Sequence, residues 1–98
     1  MRRGLAPSER IRRRVLRRRK EADAHARRRA SFYTEQLEDV SRDEIAERDN
    51  HLCHICGEWV GAQEMTIDHV VPLARGGSHT KDNIKLAHKV CNSRKGAR

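Results

Sequence analysis

Cys53-His54-Ile55-Cys56-Gly57 opens the half of the chain that carries recognisable chemistry. Two thiols separated by two residues on a tight turn can share one tetrahedral ion, and Gly57 eases the backbone around that turn. On its own this motif also fits a thioredoxin-like redox pair, but no strand-helix-strand pattern surrounds it. His88-Lys89-Val90-Cys91 repeats the spacing 35 residues after Cys53. Cys53, Cys56, His88 and Cys91 thus form a Cys3His zinc set that uses every cysteine in the chain. Two other histidines compete for the fourth position. His54 lies inside the knuckle, where its side chain should point away from the ion, whereas His51 precedes the turn and could reach it. Four protein ligands leave no position for water or substrate, so the expected role of this zinc is structural.

A staple of this kind suits the rest of the composition. Only 36% of the 98 residues are hydrophobic and 3% aromatic, against 37% charged, which is too little apolar material for a large core. Zinc binding energy would replace part of what that core lacks. The net charge of +8 is concentrated at one end. Residues 1–30 hold thirteen basic side chains against Glu9, Glu21 and Asp23, a net of +10, and residues 31–98 net −2. A basic arm on a near-neutral body is the pattern of a nucleic-acid-binding extension, the alternative being a solvated tail. No apolar run is long enough to span a bilayer. Arg2-Arg3-Gly4-Leu5-Ala6-Pro7-Ser8 followed by more arginine is not a signal peptide, so a cytoplasmic protein is expected, with cysteines serving as ligands and not as disulfides.

Pro7-Ser8 can open a helix, and good helix formers dominate from Glu9 to Glu38. Ile11, Val15, Ala22, Ala26, Tyr33, Leu37 and Val40 fall within an arc of roughly 80°, a stripe weakened by its alanines. Such a helix becomes ordered on the body, on a partner or on DNA. Ser41 and Glu44 form an S-x-x-E capping box that predicts a short helix over about Arg42–Arg48. Glu64 to His69 reads as a strand, Val70 to Asp82 as a loop marked by Pro72 and Gly76-Gly77, and Asn83 to Leu86 as a second strand. His88 to Lys95 reads as a final short helix. The expected organisation is a basic helical extension over 1–40 and a small α+β domain over 41–98.

Between the two halves of the zinc set stand Asp68-His69-Val70-Val71-Pro72-Leu73-Ala74-Arg75-Gly76-Gly77, then Asp82-Asn83-Ile84, then Cys91-Asn92-Ser93-Arg94-Lys95-Gly96. In this order the segments over about Arg48–Gly96 resemble the HNH endonuclease family, in particular its phage-type members with a cysteine-rich zinc site. The resemblance implies a ββα-metal (His-Me finger) fold, here stapled by structural zinc and preceded by the long basic helix. It implies His69 as general base, Asp68 and Asn92 as ligands of a catalytic divalent ion, and Asn83 as the residue that holds the loop so that His69 points correctly. It also implies DNA cleavage to 5′-phosphate and 3′-hydroxyl ends. His88 stands where this subgroup more often has cysteine. Zinc accepts either ligand, with greater acid sensitivity for imidazole.

The chemistry agrees with those roles. A carboxylate and an amide oxygen suit Mg²⁺ or Mn²⁺, and a neutral imidazole can take a proton from attacking water. Asp68 and His69 point to opposite faces of a regular strand, so the strand must end or twist at this pair. Arg75, Lys85, Arg94 and Lys95, with Arg12, Arg13 and Arg17 of the arm, are candidate phosphate contacts. Two further readings stand beside the nuclease: a non-catalytic zinc module that binds nucleic acid, and a part whose long helix docks on a larger protein such as a phage packaging motor. A monomer or weak dimer is expected, and no membrane partner.

Overall fold

A computed structural model describes residues 7–96, in the order α1 (Pro7–Ala30), α2 (Arg42–Arg48), β1 (Met65–His69), β2 (Ile84–His88) and α3 (Lys89–Lys95). Residues 2–6 of the segment read above for a signal sequence lie outside the described residues, and its Pro7 and Ser8 begin α1. Among the described residues no helix is long and apolar enough to cross a membrane.

The predicted α2 has the expected bounds, and the Ser41 hydroxyl accepts the Glu44 N–H at 3.4 Å, as a cap should. Its buried face is Ile45 and Ala46, which with Val40, Val60, Met65, Ile67, Ile84 and Leu86 make a small core under the hairpin. β1 and β2 pair antiparallel, with Met65 opposite His88 and His69 opposite Ile84. β1 starts one residue later than predicted and ends at His69 as expected, whereas β2 starts one residue and ends two residues later than predicted. Burial explains the second: Leu86 and Ala87 are both inaccessible, so the strand runs on to His88 before α3 starts.

Arg48 and Asp49 lock α2 to β2. Arg48 donates to both Asp49 oxygens at 2.7 and 3.0 Å and to the carbonyls of Lys81 and Ile84 at 2.7 and 2.6 Å. Asp49 in turn accepts the Leu86 N–H at 2.9 Å. Burial resists ionisation of Asp49, but Arg48 and that N–H outweigh it and hold the carboxyl below its usual range.

The first helix is shorter than helix propensity suggests. It ends at Ala30, eight residues before Glu38, with no Gly or Pro to stop it. Ser31 bonds back to the Arg28 carbonyl, and the Thr34 hydroxyl accepts the Gln36 N–H at 3.0 Å, so local side chains offer the backbone another set of bonds. The chain then runs extended beside His79: the His79 N–H donates to the Gln36 carbonyl at 3.0 Å and the Glu38 N–H to the His79 carbonyl at 2.8 Å. Tertiary pairing here overrides propensity. Leu37 and Val40 therefore do not extend the helical stripe; Val40 is core on its own account.

Only the C-terminal half of α1 docks. Ala30 is fully buried and Ala26 packs on the core, whereas Ile11 and Val15 are exposed. Three ion pairs zip this half to residues 39–43: Arg19 with Asp43 at 3.2 Å, Asp23 with Arg42 at 3.2 Å and Arg27 with Asp39 at 3.3 Å. Asp23 also accepts the Arg42 N–H at 3.3 Å, capping the first turn of α2 from another helix. Burial raises the Asp23 carboxyl pKa, with Arg42 opposing.

Candidate active site and metal centre

The knuckle is a tight hairpin. Cys53 N–H donates to the Glu58 carbonyl at 2.9 Å, and the Gly57 N–H returns to the Cys53 carbonyl at 2.8 Å with Gly57 at φ +82°. Cys53, Cys56, His88 and Cys91 come together with all four donor atoms within 4.8 Å of one another. His88 Nδ1 lies 3.4 Å from Cys56 Sγ and 3.7 Å from Cys91 Sγ. Its Nε2 donates to the Trp59 carbonyl at 2.9 Å, which leaves Nδ1 as the lone-pair donor. His51 is not in the group; it stacks on Trp59 with ring centroids 6.1 Å apart. The choice between His51, His54 and His88 thus falls on His88.

The donor set asks for a cation. Burial works against a Cys53 thiolate, yet the N–H groups of Cys56, His88 and Ile55 bring its pKa down to about 6. Burial and the sulfurs of Cys56 and Cys53 push Cys91 up to about 11. Three clustered sulfurs cannot all ionise without a positive centre among them. The Cys3His cluster is compatible with structural zinc, which would supply that centre.

Asp68, His69 and Asn92 line one cleft of about 420 Å³. Asp68 is the most buried of the three, its side chain 5% exposed. Two groups converge on its Oδ2, each at 2.6 Å: the Lys95 ammonium and His54 Nε2. Lys95 also donates to the His69 carbonyl at 3.3 Å. Lys95, expected among the phosphate contacts, is thus held by the acid of the site. Asn92 Nδ2 donates to the Ile67 carbonyl at 3.3 Å, so its amide oxygen remains to be offered.

His69 closes β1, so that it and Asp68 share the cleft at the point where the strand ends. Its Nε2 lies 3.0 Å from Nδ1 of the fully buried His79. Burial first, then the fields of His79, Arg29 and Lys95, lower the His69 pKa to about 4, with Asp68 opposing. Burial and Arg27 lower His79 as well. Asn83 ties the loop beyond: its Oδ1 accepts the Val71 N–H at 2.9 Å, and its Nδ2 donates to the carbonyls of Val71 and Ser78 at 3.1 and 2.8 Å. Gly77 makes that clamp possible, because a Cβ there would sit 1.8 Å from the Val71 oxygen.

The second wall of the cleft is α1, through Ala22, His25, Ala26 and Arg29, followed by Tyr33. Arg12, Arg13 and Arg17 are exposed further along the helix, Arg75 is exposed on the loop, and Lys85 and Arg94 are exposed on β2 and α3. Four site residues were not singled out from sequence for these positions: His54, His79, Arg29 and Tyr33. His79, in the run Gly77-Ser78-His79, carries no spacing signal. His54 had one, since a residue between two ligands of a knuckle must point somewhere else.

Residues 53–98 match the family model described as HNH endonuclease. No curated protein matches the chain.

Proposed function

We propose, from the premise that residues 53–98 belong to the HNH endonuclease family, that the protein is a metal-dependent endonuclease that hydrolyses DNA phosphodiester bonds. The observation that carries this reading is the meeting of Asp68, His69 and Asn92 in one cleft beside the four-donor cluster. The strand-strand-helix order of β1, β2 and α3 supports reading the body as a ββα-metal module, and we take residues 1–40 as its basic extension.

His69 is the general base. Its low pKa keeps the ring neutral near pH 7. When its Nε2–H donates to His79 Nδ1, Nδ1 of His69 is the atom left to take a proton from water. His79 fixes the ring, and Asn83 fixes the loop that follows it. Asp68 and Asn92 offer a carboxylate and an amide oxygen, a donor pair that fits Mg²⁺ or Mn²⁺. Such an ion, when bound, supplies charge stabilisation at the phosphate and at the leaving oxygen. Water attack in line would leave 5′-phosphate and 3′-hydroxyl ends.

The exposed arginines of α1 contribute sequence-independent affinity through phosphate contacts, and Arg29 brings that charge to the cleft itself. Conversion of supercoiled plasmid with Mg²⁺ or Mn²⁺, comparing wild type with His69→Ala, tests the assignment. Metal-dependent nicking that disappears in the variant supports it. No cleavage by zinc-loaded wild type with either ion refutes it in favour of a binding module.

A further inference from the structure

We infer that His54, held between the two knuckle thiols, is a third protein ligand of the divalent ion at Asp68, so that one short turn serves both metal positions. The inference rests on the reading that Asp68 and Asn92 hold such an ion. It begins from an unusual contact: His54 Nε2 reaches across to Asp68 Oδ2 at 2.6 Å, over a sequence separation of 14 residues. The carboxylate it meets is almost fully buried.

The backbone that carries the ring is held on two sides. The His54 N–H donates to the Leu86 carbonyl of β2 at 3.0 Å. Its neighbours Cys53 and Cys56 belong to the Cys3His cluster, whose zinc would make the turn rigid. A hairpin turn directs Cys53 and Cys56 to one ion, and His54, the first of the two residues between them, reaches Asp68 on β1. Asp68 Oδ2 already attracts positive charge, since the Lys95 ammonium also lies 2.6 Å away. Asp68 is common to both arrangements: its Oδ2 meets the His54 imidazole at 2.6 Å, and it lines the cleft together with Asn92, whose amide oxygen would complete a mixed donor set.

That set has a consequence for ion choice. Mg²⁺ strongly prefers oxygen donors, whereas imidazole raises affinity for first-row transition ions. His54 should therefore favour Mn²⁺ over Mg²⁺ at this site. The rival role is a hydrogen-bond partner that only orients Asp68, which would put no nitrogen on the ion.

Mn²⁺ titration of the zinc-loaded full chain, followed by electron paramagnetic resonance, separates the two, with pulsed spectra of the bound ion read for directly coordinated ¹⁴N. The expected result is a ¹⁴N signal in wild type and in His69→Ala that is absent in His54→Ala. Mn²⁺ affinity should fall in that variant, and Mg²⁺ affinity by less, because imidazole favours the transition ion. His54→Gln serves as a second variant, accepted when its zinc content equals that of wild type. If neither variant folds, the wild-type and His69→Ala spectra decide alone. A wild-type spectrum without bound ¹⁴N, or a signal that persists in a folded His54 variant, overturns the inference. Asp68→Asn keeps the two readings apart: Mn²⁺ binding unchanged by that substitution removes the ion from Asp68 and takes the functional reading with it. Binding lost in Asp68→Asn but unchanged in His54→Gln sinks His54 alone.

Discussion

His69 and His79 share a hydrogen bond of 3.0 Å, with ring centroids 5.2 Å apart. The outer nitrogen of His79, Nε2, is buried with no hydrogen-bond partner among the described residues. A polar atom left so costs about 1–3 kcal/mol, a local expense consistent with a ring kept for what its other nitrogen does.

The pair sets a pH dependence. Burial, His79, Arg29 and Lys95 lower the His69 pKa to about 4 from an ordinary 6.5. A histidine with a lowered folded pKa binds fewer protons folded than unfolded, so its contribution to stability is complete above 6.5 and is lost as pH falls towards 4. The base should stay unprotonated throughout that window. We expect the His69 ring resonances, followed by NMR, to titrate well below 6.5, and His79→Ala to move them upward. A midpoint of 6.5 in wild type would contradict the burial argument.

Gly77→Ala should be disproportionately harmful for one methyl group. The added Cβ would meet the Val71 carbonyl oxygen at 1.8 Å and Asn83 Nδ2 at 2.9 Å, both parts of the loop clamp. Overpacking against backbone costs about 1–3 kcal/mol, and the loop must open to relieve it. Chemical denaturation should show that loss. At Gly76 open space surrounds the Cβ position, and only the φ of +92° resists alanine. Equal stability of Gly77→Ala and wild type would mean that the clamp is not rigid.

Removal of zinc should unfold the body. Structural zinc contributes about 10–16 kcal/mol of apparent binding free energy, comparable to the whole stability of a small domain. Cys91→Ser deprives the cluster of a sulfur and should abolish stoichiometric zinc and the cooperative thermal transition together, as read by metal analysis and circular dichroism. Retention of a sharp transition in a zinc-free sample would show that the apolar core suffices.

DNA affinity should depend steeply on salt. For each phosphate contact made by Arg12, Arg13 or Arg17, the slope of log affinity against log salt should fall by about 0.9 when the arginine becomes glutamine. Arg29→Ala, at the cleft, should reduce turnover beyond its effect on binding. Fluorescence anisotropy across a salt series and cleavage at saturating DNA measure the two. A slope unchanged in the Arg12, Arg13 and Arg17 triple variant would exclude the arm from the interface.

Much of this arrangement was legible in the residues because its causes are local. The Cys-x-x-Cys and His-x-x-Cys spacings announce a shared ion wherever the chain takes them, and Ser41 with Glu44 marks a helix start within four residues. The alternation in Met65–His69 places a strand, and its register with β2 follows once both hydrophobic faces turn to one core. What sequence could not supply depends on contacts between distant segments. Nothing near Ala30 forbids more helix; α1 ends there because residues 36–38 pair with His79. Nothing in Cys53–Gly57 names Asp68 as the partner of His54, and only the packing of the knuckle on β2 brings them together. Likewise an arginine-rich helix looks like a detached arm until its ion pairs with Asp39, Arg42 and Asp43 lay Arg29 along the cleft. Ligand spacing and capping act within a few residues and survive any fold, whereas the surroundings of a side chain are set by whichever remote segments the core draws beside it.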